Sequence, residues 1–150
     1  MKNKTKSDEL YRTMFVIWGA MLLSQFLFLV VGYTSKPALL YVDISKPVLG
    51  AEPLPILILG VIALSLIAAS FVVRKQLTAK AIGSKNIEKL LSAHITGMAM
   101  AEGVSLLGLV AAFVFDFQYF VIFLLLAALT IFLHRPKMAS VLAVTFEDKI

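Results

Sequence analysis

The chain has 150 residues, 60% of them apolar and only 15% charged, with a net charge of +5. A soluble domain carries about 25% charged and about 45–50% apolar residues, so these proportions exclude a soluble enzyme with a polar coat and a nucleic-acid-binding domain built on a basic face. Cysteine is absent, which excludes disulfides, thiolate metal sites and cysteine nucleophiles.

Between Thr13 and Leu133 the charges gather in the stretches 36–52 and 74–89, apart from Glu102 and Asp116, and they leave four apolar segments. Segment one, about 13–32, has no charge and at ~1.5 Å per residue covers ~30 Å, the thickness of the hydrocarbon layer. Lys2, Lys4, Lys6 and Arg12 precede it as they would a signal peptide. Its apolar run is longer than the roughly 7–15 residues of such a peptide and no Ala-x-Ala site follows, so a retained helix is expected. Pro37, Pro47 and Pro53 then mark an irregular outer loop, because proline removes a donor and restricts the residue before it.

Segment two, about 54–73, is again uncharged, with Pro55 suited to a first helical turn. The stretch 74–87 reads as a polar loop rich in Lys and Arg, with Gly83-Ser84 as a break. It serves as a turn on anionic lipid or as a docking surface for a partner. Helix three is expected over about 88–115, and segment four over about 117–133, with Asp116 as the cap of helix four. The tail from Met138 reads as disordered or as a short strand. The whole is an all-α polytopic membrane protein, one domain over residues 1–150, with four transmembrane helices in a compact antiparallel bundle. Segments one and four, which are bulky, are expected to form the lipid-facing layer.

Lys and Arg number twelve on the side of the termini and the 74–87 loop against two on the other. The positive-inside rule therefore makes both termini and that loop cytoplasmic, in a cell (inner) membrane.

One acid, Glu102, lies at the centre of segment three. A charge there costs roughly 2.5–3.5 kcal/mol even on insertion scales, so protonation, hydrogen bonding or a bound cation must offset it, and an intramembrane acid is an ion-binding candidate. Measured from the cytoplasmic ends, Glu102 lies ~15 Å deep, Ser24 ~16 Å, Gln25 ~18 Å, Ser65 ~12 Å and Ser105 ~20 Å, which makes these four a supporting polar layer. His94 is ~12 Å from Glu102 along the axis, a satisfied interfacial histidine or a relay of protons. Gly97, Ala101, Ser105, Gly108 and Ala112 form a small-residue seam for close helix packing, with Gly60, Ala63 and Ser70 as its counterpart on helix two. No nucleophile–base pair, metal cluster or phosphate loop is present, so neither an enzyme nor a cofactor or metal is expected.

The stretch Met100-Ala101-Glu102-Gly103-Val104-Ser105-Leu106-Leu107-Gly108-Leu109-Val110-Ala111-Ala112-Phe113 resembles the ion-binding helix of the proteolipid subunit c of rotary ATP synthases. The resemblance covers about residues 54–115. It implies that Glu102 is a proton or sodium site and that Arg74 and Gln76 lie in a loop facing the central stalk. Leu54–Val73 lacks that family's glycine ladder, and the chain has an extra helix on either side of the hairpin.

Three functions follow from this reading. In the first, the Glu102 layer binds a proton or cation within a homo-oligomer or larger membrane complex. In the second, the chain is a structural or accessory (assembly) subunit in which Glu102 only fixes packing. The third is a small transporter. The expected partners are membrane lipids and such a complex, without nucleic acid.

Overall fold

The computed structural model describes residues 2–50 and 53–145. Five α-helices make up the described part: α1 (Lys2–Ser35), α2 (Pro53–Gly83), α3 (Ile87–Phe115), α4 (Val121–Leu133) and α5 (Met138–Thr145), with a 3₁₀ turn at Pro37–Leu40. By length and composition α1, α2 and α3 can each cross a membrane, and α4 with α5 forms a fourth candidate span bent by 46°.

Local chemistry sets the ends. Pro53 and Pro55 open α2, where their missing N–H groups would lack helical partners anyway. Asn86 caps α3, its side chain accepting from Lys89 N at 2.9 Å, and Glu88 lies in the first turn where the helix dipole favours a carboxylate. Pro136 follows α4 closely, and His134 closes that helix, its N–H bonded to the carbonyls of Thr130 and Ile131.

The helices run up-down-up-down. The start of α1, the end of α2 and the start of α3 meet α5 in one cluster built on Leu10, Met14, Ala81, Leu90, Val141 and Val144. At the opposite end Ile56 of α2 packs with Ala111 and Ala112 of α3 and with Phe117 and Phe120. α3 is the hub, touching α2 most extensively, then α4, then α1.

Four expectations need correction. The 74–87 loop is helical through Gly83, leaving Ser84–Asn86 as the turn, because Leu77, Ala81 and Ile82 continue the apolar stripe of α2 and Ala81 is buried. Residues 138–145 of the tail form a helix, since Val141 and Val144 bury an i, i+3 pair against the bundle; residues 146–150 lie outside the described part. Asp116 does not cap α4 but ends α3 in the left-handed conformation at φ 51°, which Asp tolerates better than most residues. Finally, α4 is a lipid-facing helix on one side only: Phe123, Leu124, Ala127, Thr130 and Ile131 are buried, while Ile122, Leu125, Leu129, Phe132 and Leu133 are exposed on its other face.

The seam on α3 explains where α4 sits. A Cβ at Gly108 would lie 2.6 Å from Phe123 Cβ and 3.1 Å from the Phe120 carbonyl, so only glycine admits α4 this closely. Gly97 instead makes room for the aliphatic stem of Arg74 from α2, whose Cβ lies 2.9 Å from the same construction. Ala101 and Ala112 are fully buried. On α2, Ala63 and Ser70 are buried, whereas Gly60 has open space around it and belongs to no seam.

Candidate functional site

Where α1 passes α3 a chain of polar side chains links the two helices. Ser24 Oγ lies 2.6 Å from Glu102 Oε1 and 2.8 Å from the Met21 carbonyl of its own helix. Gln25 Nε2 donates to Ser24 Oγ at 3.3 Å and to the Met21 carbonyl at 3.4 Å. Gln25 Oε1 in turn accepts a short hydrogen bond from Ser105 Oγ, one turn along α3 from Glu102. Glu102 is half-buried, while Gln25 and Ser105 are buried.

The structure therefore brings Glu102, Ser24, Gln25 and Ser105 together. Ser65 stands apart: it is exposed on α2 and donates back to the Val61 carbonyl at 2.8 Å. Depth alone grouped it with the others, and depth carries no information about which face a side chain takes.

Nearer the 84–86 end lies a second polar cluster that sequence reading did not assemble. Arg74 Nη1 is 3.1 Å from His134 Nδ1, and Nη2 donates to the Arg135 carbonyl at 3.2 Å. Guanidinium only donates, so His134 Nδ1 accepts and its Nε2 carries the hydrogen. That hydrogen points to Ser70 Oγ at 3.0 Å, and Ser70 donates to the Ile67 carbonyl at 2.7 Å. Every proton in this chain has a place when His134 is neutral. The one available signal was that Ser70 and Arg74 share a helical face at i, i+4, while the partner His134 is sixty residues away.

His94 is 1% exposed, and neither ring nitrogen has a partner in good hydrogen-bonding geometry, although the Met14 main chain lies beside the ring. It is not a surface histidine, since α5 and the start of α1 close over this end of α3. Trp18 on α1 donates to the Ile131 carbonyl of α4 at 2.8 Å, holding α1 against α4 near the same level.

The outer end is organised by Lys36. Its Nζ donates to the Ala112 carbonyl at 3.2 Å and the Phe113 carbonyl at 2.9 Å, and pairs with Asp116. A cation thus satisfies the free carbonyls at the negative end of α3. In the adjoining loop, Gln118 and Asp43 exchange two bonds through the Asp43 main chain, at 2.9 and 3.0 Å. The Ser45 hydroxyl and N–H bond the Asp43 carboxylate and hold its pKa below the ordinary value.

Among the described residues no three His, Cys, Asp or Glu side chains come together as a metal-binding group would require. No family model, curated protein or solved structure matches the chain.

Proposed function

We propose that this chain is a four-span integral membrane protein whose mid-membrane carboxyl, Glu102, takes up and releases a proton, the protonated form fastening α1 to α3. The observation that carries this reading is the Ser24 hydroxyl. It has one hydrogen and lies within bonding distance of two oxygens, the Met21 carbonyl and Glu102 Oε1. The carbonyl can only accept. If Glu102 were ionised it too could only accept, and one contact would be left without a hydrogen. With the proton on Glu102 all contacts close: Glu102 donates to Ser24, Ser24 to Met21, Gln25 to Ser24, and Ser105 to Gln25.

The proton is favoured over a metal cation because a cation would need several free oxygens, and Gln25 Oε1 is already taken by Ser105. The excess of Lys and Arg on the terminal side supports cytoplasmic termini and a cytoplasmic 84–86 turn, in a cell (inner) membrane. The subunit-c resemblance is compatible with a proton on Glu102, while the lack of a glycine ladder on α2 argues against ring assembly through that helix.

A second reading, a structural or accessory subunit, is favoured by Glu102 having Ser24 as its single hydrogen-bond partner among the described residues. Glu102→Gln separates the two, since Gln keeps shape and can still donate to Ser24 but cannot ionise. Proton binding predicts normal folded yield with loss of proton uptake and release, followed with an indicator dye in weakly buffered proteoliposomes. Unchanged proton exchange at normal yield would leave Glu102 as packing alone.

A further inference from the structure

Between α2 and the bend joining α4 to α5 lies a cavity of about 390 Å³. Arg74 and Lys75 reach it from α2 and Lys137 from the bend, with Thr78 and Ser140 adding hydroxyls. Among the described residues the only ion pair is Lys36–Asp116, at the other end of the bundle, so these three cations have no described carboxylate paired with them. Arg74 is bonded to a neutral imidazole and a carbonyl, which orient its guanidinium but leave its charge uncompensated. His134 spends its acceptor nitrogen on Arg74 and its hydrogen on Ser70, so it presents no lone pair that would repel an anion.

The opposite wall is apolar. Phe71 and Leu133 line the cavity and are exposed on the face of the bundle that runs toward its waist. Going along α2 from Phe71 to Thr78, the surface changes within two turns from hydrocarbon to two cations and a hydroxyl. Such a step matches a molecule that carries a phosphate on an apolar body.

The geometry points to a phosphate-binding site in this cleft, occupied by the headgroup of an anionic phospholipid whose acyl part lies over Phe71 and Leu133. Arg74, prepositioned by His134 and the Arg135 carbonyl, takes the phosphate oxygens, for which its forked donors are suited. Lys75 and Lys137, both exposed, add charge from either side. The inference requires the chain to lie in a membrane but is independent of Glu102.

The test uses the full-length protein in a neutral detergent, with native mass spectrometry reading retention of phosphatidylglycerol against phosphatidylcholine. The wild type is expected to retain phosphatidylglycerol preferentially. K75Q/K137Q should weaken that preference roughly tenfold to a hundredfold, the loss of a charge-assisted hydrogen bond to the phosphate. K80Q/K89Q removes the same charge from exposed positions at the same end outside the cavity and should leave it nearly intact. Equal retention of the two lipids by the wild type, or equal loss in both double variants, overturns the site, the latter by showing diffuse attraction. A phosphorus NMR titration with inorganic phosphate distinguishes the source. Binding of phosphate that disappears in K75Q/K137Q, without lipid selectivity, overturns the lipid assignment in favour of an ion from solution. A chain that leaves the membrane fraction under carbonate extraction would fail the membrane reading, separately from the site.

Discussion

Ser24, Glu102 and His94 show what single side chains contribute. An interhelical hydrogen bond within a membrane is worth about 0.6 kcal/mol on average and up to about 1.7 kcal/mol. A double-mutant cycle with Ser24→Ala and Glu102→Met, which keeps the length of the side chain but cannot hydrogen-bond Ser24, should give a coupling inside that range, measured by unfolding in mixed micelles. A coupling indistinguishable from zero would mean that the two groups do not bond. His94, with no partner in good geometry and only the Met14 main chain beside its ring, makes the opposite case. A buried polar group without a partner costs about 1–3 kcal/mol, and an apolar replacement of similar shape is close to neutral or stabilising. His94→Leu is therefore expected to leave the thermal midpoint unchanged or raise it; a fall equivalent to more than about 2 kcal/mol would reveal a partner for the ring. Glu102, Ser24, Gln25 and Ser105 were legible in the sequence because their depths agree. Ser65 was not separable from them, since the apolar sequence around it is rich on every side and no stripe marks an inner face.

The helices pack according to where bulk is missing. A methyl group at Gly108 meets the Phe123 Cβ and the Phe120 backbone, and neither can swing away. Gly108→Ala should cost about 1–3 kcal/mol as overpacking, read from the unfolding midpoint. Gly60→Ala meets nothing within 4 Å and should be neutral or gain up to about 1 kcal/mol from helix propensity. Equal effects at the two positions would contradict the assigned α3–α4 contact. The existence of α1, α2 and α3 followed from their long apolar runs, interrupted only by Glu102 in the third. The length of α2 beyond Val73 did not, because the cations of 74–83 resemble loop composition while the apolar stripe among them is only half as dense. The outer loop adds a pH dependence. Hydrogen bonds from Ser45 lower the Asp43 pKa, so their contribution is present above the ordinary carboxylate value and is lost as pH falls through the lowered one. The amide signal of Ser45 should then move on acidification in wild type and stay still in Asp43→Asn.

Across the molecule, two ends of different character enclose an apolar waist. One end is fastened by Lys36 on the carbonyls of α3, and the other by α5 folding over α1, α2 and α3. Val141, on the inner face of α5, is fully buried, and Val141→Asp should release that helix, costing at least about 2 kcal/mol and exposing residues 138–145 to protease while α1–α3 stay protected. In the sequence α5 left only a weak trace: eight residues with two buried valines can be read as a strand as easily as a helix. The His134–Arg74 contact was invisible for another reason, since it joins distant helices at a position where each residue alone looks like a span terminus. The most direct check on the role assigned to Glu102 is the infrared spectrum of the protein in lipid. A carboxylic acid donating to Ser24 gives a protonated-carboxyl C=O band that vanishes in Glu102→Gln and moves to higher frequency in Ser24→Ala as its hydrogen bond is lost. A spectrum without that band, or a band indifferent to Ser24→Ala, would contradict the proton-held clasp between α1 and α3.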